Sequence, residues 1–152
     1  AAPRLGSSDV GSGMSNGQRI LGSVEPWHGN EVVVYTESDG MWNRRVIFDG
    51  VASGHEVVVV DLNGDDRADI VANDNSRVTS NRPNGTPGVH VFFSPEDPAT
   101  GEWSYSRIES EAAMNGCVPG DMNQDGWTDL VCTGGGGFIR WYENLGQQDS
   151  PR

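Results

Sequence analysis

From Arg19 onward the chain alternates short apolar runs with clusters of Gly, Asn, Asp and Pro, and no window of 11 or more residues keeps a helical period of 3.6. The runs predict strands at Ile20–Val24, Glu31–Thr36, Arg44–Phe48, Glu56–Val60, Asp69–Ala72, Val89–Phe93, Trp103–Ile108, Cys117–Pro119, Asp129–Cys132 and Phe138–Glu143. Each has an ordinary strand length. Residues 1–17 are poor in apolar side chains and rich in Gly and Ser, so they read as a flexible N-terminal segment or a loose edge.

Self-comparison exposes a repeat. Asp-Leu-Asn-Gly-Asp-Asp-Arg-Ala-Asp-Ile-Val begins at Asp61, and Asp-Met-Asn-Gln-Asp-Gly-Trp-Thr-Asp-Leu-Val begins 60 positions later at Asp121. Strands are predicted before and after each copy. A spacing of this length holds four strands, the content of one β-propeller blade. The segments follow: residues 18–53 as a degenerate, partial blade without a metal loop, 54–113 as a complete blade, 114–146 as a partial blade, and 147–152 as a tail. The Gly11–Asn16 stretch falls where the first acidic loop would be and carries no carboxylate, so no metal is expected there. The expected fold is all-β, about two and a half four-stranded blades, below the four to eight that close a propeller.

The acidic loops have calcium chemistry. Calcium takes six to eight oxygen ligands, many of them carboxylates, and a short loop supplies them from alternate positions. Positions 1, 3, 5 and 9 are Asp61, Asn63, Asp65 and Asp69 in one loop, and Asp121, Asn123, Asp125 and Asp129 in the other. Position 7, Arg67 or Trp127, would give its backbone carbonyl. An EF-hand starts alike but needs Glu at position 12 and flanking helices. Ala72 and Cys132 hold that position between strands, which excludes it.

The pattern Asp-x-Asn-x-Asp-x-x-x-Asp between two strands resembles the FG-GAP/VCBS repeat of integrin α-type propellers. The resemblance spans residues 54–145 well and 19–50 loosely. It implies two calcium ions held on strand hairpins for structural purposes. Asp66 departs from it, standing where the repeat usually has glycine.

The remaining composition narrows the partners. With 10 Lys and Arg against 22 Asp and Glu, the net charge of −12 disfavours nucleic acid and anionic lipid surfaces. The longest aliphatic run, Val57–Val60, is far too short to span a membrane. Twenty-one glycines fit a turn-rich chain. Cys117 and Cys132 flank the second loop on predicted neighbouring strands. They read either as a disulfide, suiting an extracytoplasmic protein, or as small buried residues like Val57 and Ala72 at the matching positions. His28 and His55 precede strands and are the weak catalytic or zinc candidates, and His90 shares no ligand spacing with them. Among five tryptophans, Trp42, Trp103 and Trp141 are expected between blades, and Trp127 is the best exposed candidate for a sugar platform.

No nucleophile–base pair is visible. A calcium-stabilised binding or scaffold module therefore leads, associating with other protein chains that complete or cover its open blades. A lectin-like propeller that binds glycans, or a sugar-active lyase or hydrolase using channel-facing histidines, is the alternative.

Overall fold

The computed structural model describes residues 6–76 and 86–146. The predicted tail at 147–152 and residues 1–5 of the N-terminal segment lie outside them. Among the described residues every regular element is a strand: β1 (Asp9–Ser15), β2 (Gln18–Glu25), β3 (Glu31–Ser38), β4 (Met41–Phe48), β5 (Gly54–Val60), β6 (Asp69–Asp74), β7 (Gly88–Phe93), β8 (Ser104–Glu109), β9 (Met114–Gly120), β10 (Asp129–Gly134) and β11 (Phe138–Tyr142). They form three antiparallel meanders: β1–β4, β5–β8 and β9–β11. The fold is all-β, as the pattern of short apolar runs requires.

The strand missing from the sequence reading is β1. Residues 9–15 are the first strand of a four-stranded sheet that continues through β2–β4, so the segment boundary read between residues 17 and 18 falls inside that sheet. The cause is packing. A methyl group added at Gly11 would lie 2.9 Å from Val59 Cγ2, and one at Gly13 would lie 2.5 Å from Ala68 Cβ. The second sheet comes so close that only glycine fits, and this erased the apolar signature of the strand. One signal remained. Asn16 and Gly17 both have positive φ (50° and 77°), the backbone of a two-residue hairpin turn that Asn-Gly favours. Asp39-Gly40 makes the same turn between β3 and β4 (φ 54° and 74°).

Two apolar layers hold the sheets together. Between the first and second lie Ile20, Val24, Val32, Val34, Ile70 and Phe92; between the second and third lie Val71, Val91, Met114, Leu130 and the cysteines. The second sheet is thus covered on both faces, and β6 is buried along its whole length. This explains why β6 reads as an unbroken apolar run where an edge strand would alternate. Cys117 and Cys132 stand directly opposite on β9 and β10 and form a disulfide.

His90 on β7 is 1% exposed and lies against Phe48 and Tyr105. Its Nδ1 is 3.0 Å from the Tyr105 hydroxyl and its Nε2 is 3.0 Å from the Thr86 carbonyl, a pairing that suits a neutral ring with the proton on Nε2. Burial pushes its pKa below the usual 6.5, opposed by the Thr86 carbonyl and Asp74 and assisted by Arg107. Below pH 6.5 the unfolded chain takes up a proton that the folded one resists. Stability from this site is therefore complete above that pH and is lost as pH falls toward the depressed value. The slope approaches about 1.4 kcal/mol per pH unit at most. Melting temperatures measured from pH 7.5 to 5 are expected to fall less steeply in His90→Gln than in the parent; identical slopes would remove His90 as the cause.

Candidate functional site

The loop between β5 and β6 and the loop between β9 and β10 are built alike. In the first, Asp61 Oδ1 accepts the N–H groups of Asn63, Gly64 and Asp65, and Oδ2 accepts that of Asp66. In the second, Asp121 Oδ1 accepts from Asp125 and Oδ2 from Gly126. Asn63 Oδ1 and Asn123 Oδ1 take the N–H two residues on, both at 3.2 Å. Asp65 and Asp125 repeat this with Arg67 and Trp127. Such side-chain-to-backbone bonds are what Asp and Asn at alternate positions offer, and they coil the backbone tightly.

Each coil needs two residues in the left-handed region, at its fourth and sixth positions. These are Gly64 (φ 73°) and Asp66 (62°) in the first loop, Gln124 (63°) and Gly126 (91°) in the second. Each loop has glycine at only one of them. Asp tolerates this backbone through local hydrogen bonds, whereas Gln does not. The departure at Asp66 is therefore mild, and the strain sits at Gln124, which the sequence reading passed over. Gln124→Gly is expected to raise stability by about 0.5–1 kcal/mol after glycine's greater chain entropy is deducted. Chemical denaturation checks this, and a loss of stability would show that Gln124 is unstrained.

The ninth residues close the hairpins. Asp69 accepts the N–H of Leu62 (3.0 Å) and of Ser94 (2.8 Å); Asp129 accepts those of Met122 (3.0 Å) and Asn144 (2.8 Å). Both are fully buried. Burial between two neighbouring sheets pushes the Asp69 carboxyl up to about 6 against its two N–H donors, with Asp65 and Asp61 adding to the rise. Asp129, in a sheet covered on one face, is held below the usual carboxylate range, chiefly by the Asn144 N–H.

The donor set in each loop, three carboxylates and an amide, is that of a hard-cation site, and the backbone is coiled as a ligating loop requires. The side chains are not drawn in around a point. Among the described residues no three His, Cys, Asp or Glu side chains are grouped to hold a metal ion. Asn63 and Asn123 turn their amide nitrogens, rather than oxygens, toward Asp65 and Asp125 (2.9 and 2.8 Å). The Arg67 guanidinium also pairs with Asp65, and its Nε donates to the Ser94 carbonyl (3.2 Å). Arg67 is thus more than a carbonyl donor, because its own cation neutralises the first loop in part.

Two residues outside the predicted set join the second loop. Glu143 accepts the Asn123 amide (3.0 Å), which adds a fourth carboxylate. Asn144 donates to the carbonyls of Thr128 (3.1 Å) and, across the sheets, Leu62 (2.7 Å), tying the two loops together. Leu62 is 82 positions away, so nothing local marks Asn144. Trp127 links the loops as well. It is half-buried, its ring lies over Gly64 and Gly146, and with Leu62, Asn63 and Phe93 it walls a groove of ≈200 Å³. It is not the exposed platform expected of it. Trp27, 68% exposed, is the most accessible of the five, and Trp42 and Trp141 lie on outward sheet faces rather than between sheets; only Trp103 is buried.

A second grouping lies around the start of β5. His28 and His55 meet at 5.2 Å between ring centroids, and Trp27 packs on His28 at 4.6 Å. His28 adopts a left-handed backbone (φ 51°) and its N–H donates to Ser8 Oγ, 2.5 Å away; His55 Nδ1 bonds the Asn115 carbonyl at 2.7 Å. Next to them Glu56 is pushed above its usual range by burial and by Asp9. The pair singled out in the sequence is therefore brought together, with each histidine bonded to its surroundings and, among the described residues, no third ligand grouped with it.

No protein-family model matches the chain, and no curated protein matches it. The resemblance to FG-GAP/VCBS repeats rests on the loop motif alone.

Proposed function

We propose that this chain is a calcium-stabilised β-propeller segment that serves as a binding and scaffold module for protein association. The observation that carries the reading is the pair of acidic loops. Two loops 60 residues apart share one hydrogen-bond scheme, the same two left-handed positions and the same buried closing aspartate. Plain hairpin turns need no such investment, since two residues suffice at Asn16-Gly17 and Asp39-Gly40. In this reading Asp61, Asn63, Asp65, Asp69 and the Arg67 carbonyl hold one ion. Asp121, Asn123, Asp125, Asp129 and the Trp127 carbonyl hold the other, with Glu143 at hand. Calcium would supply charge neutralisation, and the chain's own residues fix the hairpins that join the first two strands of the second and third sheets.

The three meanders are read as successive blades, with β1, β5 and β9 as their inner strands. In support, β5 lies against both β1 and β9. The Cys117–Cys132 disulfide favours an oxidising, extracytoplasmic setting. No helix among the described residues is long and apolar enough to cross a membrane.

Isothermal titration of chelator-washed protein with calcium tests the central claim. Two ions per chain are expected, one in Asp125→Ala, and no heat at all would sink it. The Trp27–His28–His55 contact favours a second reading, sugar recognition or sugar chemistry at that end of the sheets. Glycan binding or turnover that disappears in His55→Ala, while calcium binding persists, would select it.

A further inference from the structure

Among the described residues the two end sheets leave opposite faces uncovered, and the inside of the molecule shows what each is made to meet. On the third sheet Val131 pairs with both Val118 and Trp141, and Thr133 with Ile139, so these side chains share the outward face. Val118 is 64% exposed, Ile139 72% and Trp141 50%. In the 60-residue repeat Val118 and Val131 correspond to Val58 and Val71. Those two lie in the apolar layer where the second sheet packs on the third. The outward face of the third sheet is therefore the same kind of surface as one that is covered within the chain, and no sheet among the described residues covers it.

The outward face of the first sheet is the complementary kind. It presents Val10 (58% exposed) and Trp42 (43%), which with Leu21, Tyr35 and Glu25 line a groove of ≈340 Å³. Its polar part is already paired: Glu25 accepts the Tyr35 hydroxyl (2.6 Å) and Arg44 Nε (2.8 Å). A Glu–Tyr–Arg grouping of the same composition occurs where the third sheet meets the second, with Glu109 accepting from Tyr142 (2.9 Å) and Arg140. A carboxylate satisfied in this way can go under a neighbouring sheet without leaving an unpaired charge.

We infer that a second copy of this chain covers both faces, the outward face of its third sheet lying on the first sheet of its neighbour and the reverse. This deepens the scaffold reading above and rests on it. A head-to-tail contact closes into a ring when its rotation allows, and two copies bring six sheets, within the range of closed propellers. The occupant follows from continuity: within the chain a face of the third sheet's outward kind, that of Val58 and Val71, is covered by the next sheet of the same chain.

The test is the mass in solution, with Val10→Asp and Ile139→Asp as separate variants on the two faces. The parent is expected at twice the 16.3 kDa of the chain and each variant at the single mass. Mixing the variants restores pairing, because one keeps an intact first-sheet face and the other an intact third-sheet face. Both positions are exposed, and unchanged circular dichroism of the variants confirms folding. A monomeric parent, growth beyond two copies, or a dimer broken by only one variant overturns the ring. Calcium titration of the same samples separates this outcome from failure of the calcium reading, since each monomeric variant should still take two ions.

Discussion

Adding 10 mM calcium to chelator-washed protein is expected to raise its melting temperature by roughly 10–20 °C, and chelator should return it. The magnitude follows from linkage. An ion that binds only the folded state stabilises by about 2.7 kcal/mol at 100 times its dissociation constant. Extracellular calcium modules bind at about 10⁻⁴ M, so 10 mM reaches that ratio. Two independent loops give roughly 5 kcal/mol, and each kcal/mol moves a chain of this size by about 2–4 °C. The loops have reason to respond. The first gathers four carboxylates and the second three, each within nine residues of a chain already at −12, and among the described residues only the first has an internal cation, Arg67, on one of them. The second loop, exposed and without such a cation, should contribute at least half the shift. Calorimetry with calcium, magnesium and chelator makes the measurement. A melting temperature indifferent to calcium would leave the acidic loops as turns alone.

Asp69→Ala is expected to destabilise the calcium-free chain by about 3 kcal/mol. The side chain is fully buried and accepts two backbone N–H groups, from Leu62 at one end of its own loop and from Ser94 beyond β7. Alanine leaves both donors without a partner, at about 1–3 kcal/mol each, less what water entering the site recovers. Asp69→Asn keeps the shape and one acceptor oxygen, so it should retain about half of the lost stability. Urea unfolding of the three proteins in chelator gives the answer. If alanine and asparagine cost the same small amount, Asp69 is not the tie that holds loop to sheet. The two predictions separate the roles of this residue, because the first depends on calcium and the second is measured without it.

Much of this protein was legible in its sequence, for a physical reason that can be named. Strand periodicity and turn chemistry are local, so ten of the eleven strands among the described residues and the all-β class followed from apolar runs and their Gly, Asn and Asp boundaries. The coil of each acidic loop was legible in the same way, since the bonds that Asp61, Asn63 and Asp65, and Asp121, Asn123 and Asp125, accept from the backbone of their own loop run between residues two to five apart. Tertiary structure decided what depends on distant partners. It made a strand of Asp9–Ser15, whose glycines answer to Val59 and Ala68 across a sheet interface. It turned Trp127 inward over Gly64, put Arg67 on Asp65, and recruited Asn144 to a carbonyl 82 residues away. It also chose between a bonded and a merely small pair at Cys117 and Cys132 by setting them directly opposite. Local spacing names the elements and their chemistry, but which faces are covered and which side chains meet is fixed only when the sheets pack.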